Sequence, residues 1–184
     1  QSAHTGYCLH DMKNHLQAVE HLYQAKDGQE QGGAYVKDLY HMLNLLGEKY
    51  YSSNRMLNII CNDKLSLARH PAVAISVEIG DVDFSDLRDI DITTIFANLL
   101  DNALEAVEAF GEGAYLNLKI QEVHHFRVIS IVNASRPGMK KEGHMGVGLE
   151  NVRRTVEAYQ GTMQCEIVGE EYRVSVMLPG KEDS

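Results

Sequence analysis

Several groups of residues in this chain have types and spacings that could do chemistry. The first lies in residues 95–107, Ile-Phe-Ala-Asn-Leu-Leu-Asp-Asn-Ala-Leu-Glu-Ala-Val. At helical spacing Asn98, Asn102 and Glu105 fall at i, i+4 and i+7 and share a face, with Asp101 beside it. Asparagine is a poor helix former and costly to bury without a partner. Two of them on one stripe suit a ligand that needs neutral amide oxygens, such as a hydrated metal and its phosphates. Bonds to nearby backbone at the edge of a core would suit them equally well.

The second group is the loop 143–148, Gly-His-Met-Gly-Val-Gly, which runs into a helical pattern from Leu149. Glycine-rich backbone at a helix N-terminus presents free N–H groups and a positive dipole end to an anion. No Gly-Lys-Ser/Thr follows, so it is not a P-loop. The parallel βαβ units of a dinucleotide fold are missing too. Asn133 ends an apolar strand just before this loop. Its amide can accept from an amino group and donate to a ring nitrogen, or simply form a turn. In the first helical pattern, His10 and Asn14 share a face with Asp11 adjacent. An imidazole oriented by a carboxylate is a competent nucleophile toward phosphorus, although a surface His beside a surface Asp is commonplace.

The elements that must hold these groups read as follows. Residues 5–26 carry an a/d seam, Leu9, Met12, Leu16, Val19 and Tyr23. The segment 27–33 is a polar, glycine-rich turn. A second helical pattern runs from Ala34 to about Arg69, with a weak spot for a kink or a new cap at Ser52-Ser53-Asn54. Two helices joined by a short turn make a hairpin that buries little alone, so two chains are expected to pair as a four-helix bundle in a homodimer.

Pro71 ends this region, and the period changes. Val73, Ile75, Val77 and Ile79 alternate as a strand. The helix carrying Asn98 follows, with Asp91 as its expected cap and Gly111 as its stop. Strands are expected at 115–120 and 126–131, a helix from Leu149 to about Tyr159 stopped at Gly161, and two last strands at 163–167 and 172–178. Helices on one face of a mostly antiparallel sheet make a two-layer α+β sandwich.

Composition narrows the partners. The 184 residues carry a formal net charge of −9 and no basic block. That excludes nucleic acid or an anionic membrane as the main partner. No run approaches ~18 apolar residues, so no spanning helix or direct membrane contact is expected. The cysteines Cys8, Cys61 and Cys165 are scattered without metal spacing, which points to a reducing cytoplasm.

Read in order, these motifs resemble the cytoplasmic core of sensor histidine kinases. Leu9-His10-Asp11-Met-Lys-Asn14-His-Leu16 resembles the phosphoacceptor box. Asn98-Leu-Leu-Asp-Asn102-Ala-Leu-Glu105-Ala resembles the N box, and Gly143-His-Met-Gly146-Val-Gly148-Leu149-Glu-Asn151-Val the second glycine box. Asn54-Arg-Met-Leu57-Asn-Ile-Ile60-Cys-Asn-Asp-Lys64-Leu-Ser-Leu-Ala68 resembles the segment ending the second dimerisation helix in the peptide-sensing, Agr-like and LytTR-partnered subgroup.

The resemblance implies a dimerisation and phosphoacceptor hairpin over residues 1–70 and an ATP-binding domain of GHKL (Bergerat) type over 71–184. It implies that His10 is phosphorylated by ATP, with Asp11 as its base partner and Asn14 at the position that helps place water. Asn102 is implied as the Mg²⁺ ligand, with Asn98 and Asp101 near it. Gly143, His144, Gly146, Val147, Gly148 and Leu149 would surround the phosphates, and Lys140 or Lys141 would reach the γ-phosphate. Asn133 stands where most relatives have an Asp that reads the adenine amino group. The lid is short, with about a dozen residues from Asn133 to Gly146. The implied partner is the receiver domain of a response regulator, and a membrane sensor is implied ahead of Gln1. A silent signalling scaffold is the alternative; an ATPase would want a carboxylate at Asn98.

Overall fold

The computed structural model describes residues 49, 51–66, 70, 72–138 and 146–181. Backbone contacts divide the chain into two units, Gln1–Lys49 and Tyr50–Ser184. The expected first helix, the turn at 27–33 and the start of the second helix fall outside the described residues. The second unit contains all of the following elements.

Helix α1, Arg55–Lys64, opens it. The expected helix does not run unbroken through residues 51–54. Asn54 stands there as an N-cap, its Oδ1 accepting from Leu57 N at 3.0 Å, and such a cap contributes about 1 kcal/mol. Asn58 Oδ1 accepts from Tyr51 N at 2.7 Å and Ser52 N at 3.3 Å, and Ser52 Oγ accepts from Asn54 N. The weak spot is thus a polar bracket that restarts the helix. Leu57, Ile60, Cys61 and Leu65 join the same apolar core as the sheet. The division of backbone contacts falls after Lys49, ahead of α1. Their spacing would have served a bundle seam equally well.

Strand β1, Ala74–Ile79, leads through a loop to α2, Asp89–Phe110. Strands β2, Tyr115–Val123, and β3, Phe126–Ala134, form a hairpin turning at His124 and His125, both at positive φ. Helix α3, Val147–Ala158, precedes the hairpin of β4, Thr162–Val168, and β5, Glu171–Pro179. The sheet order is β1-β2-β3-β5-β4. Among the described strands only β1 and β2 run parallel, with α2 between them, so one parallel βαβ unit is present where the sequence reading expected none; the other three pairings are antiparallel. This is an α+β two-layer sandwich, as expected.

Its core lies between the helices and one face of the sheet. Leu116, Leu118 and Ile120 of β2, Ile129 and Ile131 of β3, and Val174, Val176 and Leu178 of β5 all point inward. Over them lies α2, which buries Ile92, Ile95, Phe96, Leu99, Leu100, Ala103 and Val107. Helices α1 and α3 both pack against it. Phe84 of the preceding loop meets Phe96 edge to face, with ring centroids 5.7 Å apart.

Two expected punctuation marks act differently. Asp91 does not cap α2: the helix starts at Asp89, with Arg88 as N-cap and no side-chain cap bond. Two acids in the first turn favour the dipole whichever residue caps it. Gly161 does not supply the left-handed stop of α3; Gln160 does, at φ +57°. Gly161 is needed for space, since a Cβ there would lie 2.5 Å from Met177 O.

Among the described residues no helix is long and apolar enough to cross a membrane.

Candidate functional site

The site is built from the exposed ridge of α2 and the head of α3. The apolar stripe of α2 turns Asn98 and Asn102 to its upper edge, where both are half-buried. Asn98 Nδ2 donates to Thr94 O at 2.7 Å, one turn back. That bond leaves Oδ1 facing α3, where it meets Gly148: a Cβ built on Gly148 would lie 3.0 Å from it. The asparagine stripe and the glycine motif, some fifty residues apart in sequence, are thus in contact.

At the head of α3, Gly146 is the N-cap and supplies no side-chain oxygen to the first-turn N–H groups. Among the described residues a Cβ at Gly146 would meet nothing within 4 Å. Val147 is 80 % exposed, while Leu149 is buried and seats the helix on the core. Glu150 N donates to Gly146 O, which closes the first turn. This head has the makings of an anion cradle: first-turn N–H groups that their N-cap glycine leaves uncapped, and a positive dipole end.

Asn133 lies on the inner face of β3, 1 % exposed, opposite Leu116 and Tyr172 in the sheet register. Its Nδ2 donates to Ala134 O at 3.0 Å. The chain leaving β3 is anchored next: Ser135 N donates to Glu170 O, and the Arg136 guanidinium sits 4.9 Å above the Phe110 ring of α2.

Asp101, next to Asn102, is exposed. It pairs with Lys64 of α1 at 2.8 Å. Glu105 is exposed and lines a cleft of about 420 Å³ with Lys64, His70, Asp101, Leu104 and Glu108. Sequence reading missed Lys64, because a lysine ending a helix carries no signal of its partner. It also missed the lock at the other end of the α2–α3 pair. There the Tyr159 hydroxyl donates to Asp91 Oδ2 and Arg88 Nε donates to the same carboxylate at 2.9 Å. The Arg88 guanidinium, followed by the Tyr159 hydroxyl, holds the Asp91 carboxyl below the usual carboxylate range.

His10, Asp11, Asn14, Lys140, Lys141, Gly143 and His144 lie outside the described residues. The donor set that is described fits a magnesium nucleotide. It offers amide oxygens on one helix, the N-terminal backbone N–H groups of the next, and a glycine where a side chain would displace Asn98.

Comparison with known proteins agrees with this geometry. A family model described as the GHKL domain matches residues 87–179. The catalytic domain of histidine kinase ThkA, in a nucleotide-free form, aligns with a TM-score of 0.53 at 17 % identity, covering 70 % of this chain and 94 % of that one. Histidine kinase AdeS of Acinetobacter baumannii gives 0.57 at 13 % identity, with 98 % of each chain covered. A histidine kinase from Burkholderia phymatum gives 0.55 at 12 %, covering 97 % and 95 %. At these identities the likeness is one of fold. Among curated proteins none matches the sequence closely enough to count as a relative.

Proposed function

The chain belongs to the GHKL domain family, and from that premise we propose that it is the cytoplasmic core of a two-component sensor histidine kinase. It would act as a homodimer, phosphorylate His10 with ATP–Mg²⁺ and pass the phosphate to an aspartate on a response-regulator receiver domain. The observation that carries the reading is the contact between Asn98 and Gly148. It puts the N-box stripe against the glycine-rich helix head, in a chain whose phosphoacceptor-like His10-Asp11 precedes both.

In this reading Asn102 holds the magnesium and Asn98 supports it. The N–H groups at the head of α3 hold the phosphates, and Asn133 meets the base. Lys141 and His144 are proposed phosphate contacts from the loop. Bound ATP–Mg²⁺ supplies the transferable γ-phosphoryl group, its charge already partly neutralised. The chain's own residues then have little covalent work. Asp11 orients His10 and takes its ring proton, and the dipole of α3 stabilises negative charge at the phosphates. Residues 1–70 are proposed as the dimerising, phosphate-accepting part, with their last helix, α1, packed on the ATP-binding part, 71–184.

The test is to incubate the chain with γ-labelled ATP and Mg²⁺, comparing wild type with His10→Gln and Asn102→Ala. Acid-labile label on wild type alone supports the kinase. Label that persists on His10→Gln removes His10 from its role. ATP turnover without label indicates an ATPase, and no nucleotide binding indicates a silent scaffold.

A further inference from the structure

Helix α1 is joined to the rest of its unit in a way the proposed function does not use. Its inner side is sealed by Leu57, Ile60, Cys61 and Leu65, each at most 6 % exposed. Its start is held by the bracket of Ser52, Asn54 and Asn58. Its last residue, Lys64, reaches Asp101, the immediate neighbour of Asn102. Two helical turns further along α2, His70 Nδ1 lies 3.6 Å from Glu108 Oε1. Asp101 and Glu108 are seven residues apart, so these contacts strap the chain along about 10 Å of the α2 ridge. The division of contacts after Lys49 agrees, since α1 is counted with the sheet and not with what precedes it.

We propose that α1 is a positioning strut for the asparagine-bearing helix: through Lys64–Asp101 and His70–Glu108 it fixes the setting of α2, and with it the placement of Asn102. The part concerning Asn102 rests on the nucleotide site proposed above. A joint near residues 69–72 would leave α1 free to move apart from α2. The sealed core under α1 and the two straps oppose that. Lys64 and Asp101 are positioning residues: they act on the site through the axial setting of α2.

The test uses the full 184-residue chain. Hydrogen exchange reads the strut without nucleotide. The amides of Leu57–Leu65 are expected to open together with those of Leu99–Val107, and exchange of α1 independent of α2 overturns the proposal. The second arm compares Lys64→Glu, Asp101→Lys and the swapped pair K64E/D101K. Each single change sets like charges together and is expected to weaken ATP–Mg²⁺ binding about threefold at low salt, with the melting temperature nearly unchanged. The swap is expected to restore binding. Single variants that bind as wild type does, or a swap that restores nothing, overturn it. Wild type that binds no nucleotide overturns the site reading, and the exchange experiment still decides whether α1 moves with α2.

Discussion

The side-chain oxygen of Asn98 lies where a Cβ on Gly148 would approach to 3.0 Å. That contact sets how closely the Asn98 face of α2 and the head of α3 approach. It predicts an uncommon outcome for Gly148→Ala. Alanine in a helix gains up to about 1 kcal/mol over glycine. Here the methyl group must push the Asn98 amide aside by a few tenths of an ångström. Thermal stability is therefore expected to stay level or rise slightly while nucleotide affinity falls several-fold. Melting curves and a nucleotide titration on one preparation check both. Unchanged affinity would remove Asn98 from the site.

Tyr159→Phe tests the lock at the far end of the same helix pair. Loss of the hydroxyl that donates to Asp91 is expected to cost about 1 kcal/mol at neutral pH. Arg88 and Tyr159 depress the Asp91 carboxyl in the folded state. Its contribution is thus fully present above the unfolded value, about 3.9, and is lost as pH falls through the lower folded value. The gap between wild type and Tyr159→Phe is expected to narrow below about pH 4. Urea unfolding at a series of pH values measures it.

Arg127 is buried at 2 % exposure on β3. It donates to Asp83 O at 3.0 Å, to Asp86 Oδ2 at 3.0 Å and to Pro179 O at 2.6 Å, and it lies over the Phe84 ring. It binds the loop that feeds α2 to the end of β5. Arg127→Met keeps the bulk but strands two carbonyls and a carboxylate. The expected cost is about 3 kcal/mol, the low end for a broken buried pair because Asp86 keeps some solvent. A lower urea midpoint at constant slope would show it.

Cys61 is fully buried on the inner side of α1, and burial pushes its thiol up to about 12. A thiol so rarely ionised is inert. Iodoacetamide at pH 8 is expected to leave Cys61 unmodified in native protein and to alkylate it in urea, as read by peptide mass spectrometry. Rapid native alkylation would mean that α1 lifts from α2.

The sequence was most informative where one period admits one reading. Strict alternation from Val73 to Ile79 marked β1, and the stripe from Ile95 to Val107 marked the buried face of α2. Asn98 and Gly148 could each be singled out by type and spacing. Their contact could not, because nothing in either motif encodes how two helices cross. Alternation also cannot tell a parallel neighbour from an antiparallel one, so the β1–β2 pairing was not legible. Leu57, Ile60 and Leu65 have a helical period that fits a bundle seam or the side of a sandwich. Only the cap at Asn54 separates them from the preceding pattern. Asp91 looked like a cap because it precedes an apolar run, but its partners are Arg88 and a tyrosine 68 residues away.

The parallel pairing of β1 with β2 also bears on how the chain folds. The hairpins β2–β3 and β4–β5 close through short turns and need little of the rest of the chain. The pairing of β1 with β2 spans all of α2, and that of β3 with β5 spans all of α3. Such long closures come late, because loop entropy must be overcome before contacts reward it. Each helix of the site is enclosed by one of them. A chain with both hairpins formed and these closures open therefore has no site. Nucleotide would select only the finished fold, and saturating ligand is expected to slow unfolding without speeding collapse.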